Sequence, residues 1–364
     1  MNSLTSSLLF LVAIPLISAF IITTFLTPVF IKINLRLRLL DDPQKHKHPA
    51  MLHKSIIPRG GGLPYFLGIL ISALLLLPIT PQNITIYAAG GVALIVGTID
   101  DRLNAEGRDL SPYLRFLFNI VCASIIVLGG TNSTFITNPL GGILHLNVSF
   151  IPFVPLTLSQ LIYIIWIVWV MNILNWSKGV DGQMPGIVAI AAIVIGVLSL
   201  RFSLHDQRVF TDTKLSFMIA GASIGFLLYN FHPAKIFPGF GATSVYLLLA
   251  AVSILSSAKL ATAILVMGVP IVDAAFTIIR RIYRKKSPFL HDRLHLHHLL
   301  LNLGYSQKQI ALFYWAISAI LGLVALTLQS TNKLFALLML FAIVGGGLLF
   351  LHSITQDKNE KVSR

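Results

Sequence analysis

Two adjacent aspartates, Asp100 and Asp101, close an apolar run from Ile84 to Ile99. A helix C-terminus presents the negative end of its dipole, and neighbouring carboxylates repel one another. At the edge of a hydrocarbon layer such charges are costlier still. Paired carboxylates in that position suit a hard cation or a proton; a solvated loop start neutralised by Arg102 is the plainer alternative. Asn172, Asn175 and Asp181 fall within ten residues. Glycines from Gly179 to Gly182 there allow backbone to approach a ligand closely, although Asn caps of an ordinary turn read the same way. Pro58-Arg59-Gly60-Gly61-Gly62 offers a guanidinium and exposed amides to phosphate. His46, His48 and His53 with Lys45, Lys47 and Lys54 make that loop basic, which also suits lipid headgroups. His295, His297 and His298 follow Asp292, Arg293 and the basic run Arg280 to Lys286. Histidines with arginine suit a pyrophosphate; a zinc site is the alternative, without a cysteine near it. Asp273 stands inside an apolar run after Pro270, where an ionisable residue is a functional candidate by default. A structural hydrogen bond to a neighbouring helix or to Arg280 is the other reading.

Membrane helices must position these groups. The chain has 364 residues, 55% hydrophobic and 11% charged, with a mean hydropathy of +0.83. Soluble domains carry about 25% charged residues, and a spanning helix needs about 20 mostly apolar ones. Eleven runs approach that length, near 8–30, 63–79, 84–99, 113–129, 158–174, 184–200, 215–231, 245–257, 260–279, 310–328 and 334–351. A break near Ser256-Ser257 would merge two of them. The expected fold is all-α and polytopic, with ten or eleven transmembrane helices in one domain (1–351) and a cytoplasmic tail (352–364). The first run has no basic n-region and is too long for a signal peptide. The lone cysteine, Cys122, lies inside a span and gives no disulfide framework.

The net charge of +14 is explained by its placement. Alternating loops put the segments 31–62, 100–112, 175–183, 231–243 and 280–309 and the tail on one side; we call these segments loops one to five. Counting Arg115 at the start of the fourth span, that side holds 22 of the 27 Lys and Arg residues; Arg201, Arg208, Lys214, Lys259 and Lys333 lie on the other. The positive-inside rule makes the first side cytoplasmic and places the N-terminus outside. Nucleic acid is not an expected partner. The polar clusters all fall on the cytoplasmic face, as befits an enzyme joining a soluble charged substrate to a lipid. A transporter would place polar groups near the midplane between inverted repeats, and only Asp273 comes close.

Five segments in order resemble the motifs of the polyprenyl-phosphate N-acetylhexosamine-1-phosphate transferases (glycosyltransferase family 4). His53 to Gly61, HKSIIPRGG, is similar to H-x-x-x-x-P-R-x-G-G. Asp100-Asp101 matches the paired aspartates. Asn172 to Gly182 resembles N-x-x-N-x-x-D-G-x-D-G, and NFHPAKIFPG resembles N-x-x-P-A-K-I-F-x-G. Asp273 followed by SPFLHDRLHLHH resembles P-x-x-D with H-x-H-H. The HxHH form is closer to the N-acetylglucosamine branch than to the peptidoglycan branch. The resemblance implies transfer of a sugar-1-phosphate from a UDP-N-acetylhexosamine to a polyprenyl phosphate in the plasma membrane. UMP would be released, with Mg²⁺, or Mn²⁺ in its place, as cofactor and a homodimer admitted. By the same resemblance Asp100, Asp101 and Asp181 are the catalytic and metal-holding residues. His53, Arg59, Asn172, Asn175, Lys178, Arg293, His295, His297 and His298 would bind substrate.

Two positions depart from the family pattern. Lys178 stands where the first aspartate of D-G-x-D-G is expected, and Phe240 where loop four has an aspartate. Three readings follow: a working enzyme with a rearranged site, in which Asp100, Asp101 and Asp181 hold the metal or Lys178 takes part of the metal's role, a silent relative that binds lipid phosphate or nucleotide sugar, and a transferase of altered substrate. The first is favoured because Asp100, Asp101, Asn175, Asp181 and the HLHH segment all match.

Overall fold

The computed structural model describes residues 8–43, 55–131, 135–137, 143–146, 148–149, 156–203, 210–255, 260–289 and 294–362. Every apolar run is helical. The helices are α1 (Leu9–Arg36), α2 (Gly62–Leu76), α3 (Pro81–Ala105), α4 (Pro112–Leu128), α5 (Leu158–Trp176), α6 (Gln183–Ser203), α7 (Phe210–Asn230), α8 (Thr243–Leu255), α9 (Leu260–Val266), α10 (Gly268–Tyr283), α11 (Leu296–Asn302), α12 (Gln307–Thr327) and α13 (Ser330–Val362). The starts follow local chemistry. Thr80 caps α3, accepting from the Asn83 amide at 3.2 Å, with Pro81 in the first turn. Capping boxes of Thr157 with Gln160 and Ser306 with Gln309 open α5 and α12.

Among the described residues six helices are long and apolar enough to cross a membrane, or seven if a bent pair counts as one. The eleven apolar runs map onto these seven, the shorter helices α2, α4 and α8, and α7, which carries Asp212 and Lys214 near its start. The expected break near Ser256-Ser257 falls at residues outside those described. The bend in this stretch is instead 81° between α9 and α10, at Met267. Pro270 explains its place. A proline deep in a continuous helix loses a hydrogen bond and clashes with the preceding turn, whereas a fresh start at Gly268 puts it in a first turn. Helix α13 continues to Val362, past the end expected at 351.

Helix α8 is the core. Val245 to Val252 are all at most 1% exposed, and α2, α3, α5, α6, α7 and α9 pack around it. An apolar helix with no polar stripe must be buried on every side. Its 13 described residues span about 20 Å, and loop four lies at its N-terminus. Outside this core α1 lies against α2 and α7, α4 against α3 and α5, and α12 against α6. Two small antiparallel ribbons complete the chain: β1 (Leu40–Asp41) with β2 (Ile57–Pro58), and β3 (Phe135–Thr137) with β4 (Ile143–His145). The first ties loop one to the end of α1.

Close backbone approach fixes loop four against α3. A Cβ on Gly97 would run into the backbone of Gly241, whereas one on Gly91, six residues earlier, would meet nothing within 4 Å. Gly97→Ala should therefore destabilise the protein by about 1–3 kcal/mol through overpacking. Gly91→Ala should be neutral or stabilising by up to about 1 kcal/mol. Melting temperatures of the purified variants in detergent check the pair; equal melting of both would contradict the packing.

Candidate active site

The carboxylate of Asp101 joins three loops. Oδ1 accepts from Arg59 Nε and from the Phe240 amide, both at 2.8 Å, and Oδ2 accepts from the Gly241 amide at 3.2 Å. The aspartate is fully buried. Those amides immediately precede α8, whose N-terminal dipole favours an anion. Gly239, at φ +66°, has no Cβ to strike Asp101, which lies directly against it. Arg59 also donates to Asn104 Oδ1 at 2.6 Å and to Asp41 Oδ2 at 3.2 Å, and its own carbonyl accepts from Asn34 at 2.6 Å. Charge from Asp101 and Asp41 raises the Arg59 pKa against the effect of burial, which is the larger single influence and acts downward.

Asp100, also fully buried, serves a separate partner. Its Oδ1 takes Arg115 Nε at 2.8 Å, Arg115 Nη2 at 2.7 Å and the Leu110 amide at 3.2 Å. Among the described residues its Oδ2 has no hydrogen-bond partner. The Arg115 guanidinium lies 5.3 Å from the centre of the Phe240 ring, within cation–π range. Phe240 thus supports an arginine that pairs with the first aspartate.

Lys178 enters from loop three and donates to the Gly239 carbonyl at 3.0 Å. Burial, and after it the Arg59 charge, lowers its pKa to about 7, while Asp101 and Asp100 pull it up. Nearby Asn175 has its Oδ1 buried without a partner, and Asn172 is turned back on its own helix, donating to Val168 O at 2.7 Å. Gly179 packs against the His297 ring with no room for a Cβ, so loop three touches loop five. There Asp273 accepts from the Leu296 amide at 3.0 Å and lies 2.9 Å from His295 Nδ1. His295 stacks on His297 at 5.7 Å between centroids, and His298 lies 4.3 Å from His297. His297 is buried with Nδ1 unpartnered. Burial, then the neighbouring histidines, holds its pKa well below the ordinary range and leaves it uncharged at neutral pH.

Asp181 is oriented elsewhere. Its Oδ2 lies 2.7 Å from His232 Nδ1 and accepts from the Ala234 amide at 3.1 Å. Its own amide donates to Gln307. His232 was not among the candidates in the sequence; it stands at an unspecified position of the loop-four motif, and only its proximity to Asp181 in space distinguishes it. His53 and Arg293 lie outside the described residues. Of the rest of the expected set, Arg59, Asp100, Asp101, Lys178, His295, His297 and His298 are linked through loops one to five by the contacts above, and Asn175 stands one turn before Lys178.

The magnesium site implied by the family resemblance is not formed by these residues. Asp100, Asp101 and Asp181, the expected ligands, are not gathered around one point, and among the described residues no three His, Cys, Asp or Glu side chains could hold an ion. Both oxygens of Asp101 and one of Asp100 are already engaged, and Phe240 replaces a carboxylate.

The lowered pKa of Lys178 has a stability consequence. Between about pH 7 and the ordinary 10.5 the unfolded chain holds a proton that the folded chain has lost. Stability from this group therefore rises with pH across that window, by at most about 1.4 kcal/mol per pH unit. In Lys178→Met that increment should vanish, which unfolding midpoints of both proteins across the window would reveal; parallel curves would contradict it.

Comparison with known proteins gives the family of the chain. The profile of glycosyl transferase family 4 matches residues 83–257. A probable undecaprenyl-phosphate N-acetylglucosaminyl 1-phosphate transferase of Bacillus subtilis is 29% identical, over 91% of this chain and 90% of the relative. A decaprenyl-phosphate N-acetylglucosaminephosphotransferase of Mycobacterium leprae is 30% identical, over 86% and 82%. A phospho-N-acetylmuramoyl-pentapeptide-transferase of Moorella thermoacetica is 28% identical, over 86% and 97%. With this similarity along most of its length, the chain belongs to glycosyl transferase family 4, among the polyprenyl-phosphate N-acetylhexosamine-1-phosphate transferases.

Proposed function

We propose that this protein transfers N-acetylhexosamine-1-phosphate, specifically N-acetylglucosamine-1-phosphate, from a UDP-sugar to polyprenyl phosphate at the cytoplasmic face of the plasma membrane. The product is a lipid-linked pyrophosphate sugar for surface polysaccharide synthesis. The observation that carries the reading is the buried aspartate pair, each member held by its own arginine, with Asp100 Oδ2 left unpartnered. An unpaired carboxylate oxygen beside fixed cations can take a proton from an incoming phosphate while the cations hold the resulting charge. The names of the relatives supply the substrate class.

In the reaction a lipid phosphate oxygen attacks the sugar-bearing phosphorus of the UDP-sugar. A new phosphorus–oxygen bond forms, the phosphoanhydride bond breaks, and its electron pair leaves on the oxygen of UMP. Any proton on the lipid phosphate passes to Asp100 and then to solvent. Such transfers depend on positioning and charge neutralisation more than on covalent chemistry. Asp101 positions Arg59 and the start of α8, and the histidines His295, His297 and His298 would face the diphosphate. The polar groups lie at one end of the helices; even Asp273 is tied to His295, which favours a transferase over a transporter.

The test is UMP release from UDP-N-acetylglucosamine by the purified protein with undecaprenyl phosphate. Lipid-dependent UMP is expected, and Asp100→Asn should reduce kcat by about 10²–10⁴-fold with its melting temperature retained. No UMP from any UDP-sugar would overturn the reading in favour of a silent binding protein.

A further inference from the structure

Lys178 and Phe240 occupy the two positions at which the family pattern has carboxylates, and the structure gives each a definite task. Among the described residues the Lys178 ammonium meets one hydrogen-bond partner, the neutral carbonyl of Gly239 at 3.0 Å. An ammonium has three donors, so two remain for a ligand. Phe240, 5% exposed, underlies the Arg115 guanidinium, and its amide helps hold Asp101. Among the described residues the buried polar atoms without a partner include Asp100 Oδ2, Asn175 Oδ1 and His297 Nδ1. Asn175 is on the same turn as Lys178, and His297 lies against Gly179, the next residue. Open donors of Lys178 thus stand beside Asn175 and His297, while each guanidinium is shared between two carboxylates, Arg59 between Asp101 and Asp41 and Arg115 between Asp100 and Asp109.

We propose that Lys178, with Arg115 braced on Phe240, neutralises the substrate diphosphate in place of a divalent cation, so that this chain binds its nucleotide substrate without a metal. A compact ammonium with rotatable donors suits phosphate oxygens as a point charge. An aromatic ring beneath Arg115 fixes its direction without adding a negative charge that would attract a metal. The inference rests on the transferase reading for the identity of the ligand, but it concerns only how the anion is held.

Calorimetric titration of UDP, which lacks both sugar and lipid, into the detergent-solubilised protein separates the two ideas. With EDTA and with Mg²⁺ the dissociation constants should agree within about threefold. Loss of a charge-assisted hydrogen bond in Lys178→Gln should weaken binding by about ten- to a hundredfold in both conditions, and Lys178→Arg should recover most of it. Replacing both positions, Lys178→Asp with Phe240→Asp, should make binding depend on Mg²⁺. A melting curve for each variant confirms folding, and the EDTA comparison on the unmodified protein stands whether or not the variants fold. Binding by the unmodified protein that is lost in EDTA and restored by Mg²⁺ would overturn the proposal, as would unchanged affinity in Lys178→Gln. Failure of the transferase reading shows differently: UDP binds as described, yet no UDP-sugar yields UMP.

Discussion

The pairing of Asp101 with Arg59 at the start of α8 is the interaction on which the remaining site geometry depends. A buried carboxylate is expensive unless it is paired and fully hydrogen-bonded. Asp101 meets that demand with one guanidinium and two backbone amides. Those partners come from loops one and four, so satisfying one charge brings together segments far apart in the chain. The N-terminal dipole of α8 adds to the effect. The same constraint explains Gly239, where a side chain would displace the carboxylate, and Gly97, where one would push loop four off α3.

A second buried acid does the same for the other half of the site. Asp273 fixes both His295 and the first amide of α11, which sets His297, packed between the other two histidines, against Gly179. Lys178 bridges the halves, because its backbone adjoins the histidine cluster and its ammonium reaches Gly239 beside Asp101. The bend at Met267 belongs to this arrangement, since it sets α10, and with it Asp273, at 81° to the preceding helix.

The sequence made the helices and the site residues legible to different degrees. The apolar runs mark the helices because a hydrocarbon layer demands continuous apolar length. They do not mark bends or ends, which depend on tertiary packing; the sequence suggested a break near Ser256-Ser257 and none at Met267. Asp100 and Asp101 stand out because charge is conspicuous in an apolar context. The division of work between them does not, since Arg115 and Arg59 reach them across 15 and 42 residues. His232 is invisible in sequence because its partner Asp181 lies 51 positions away. The replacements at Lys178 and Phe240 were readable as departures, but that Phe240 supports Arg115 requires the fold.

The most direct measurement is a double-mutant cycle on Arg59→Met and Asp101→Asn, read as unfolding free energies in detergent. If this pair holds loops one and four together, the two changes are coupled by about 1–3 kcal/mol, as expected for contacting residues in one network. Effects that add within about 0.5 kcal/mol would mean that the loops assemble without the pair, contradicting the account at its centre.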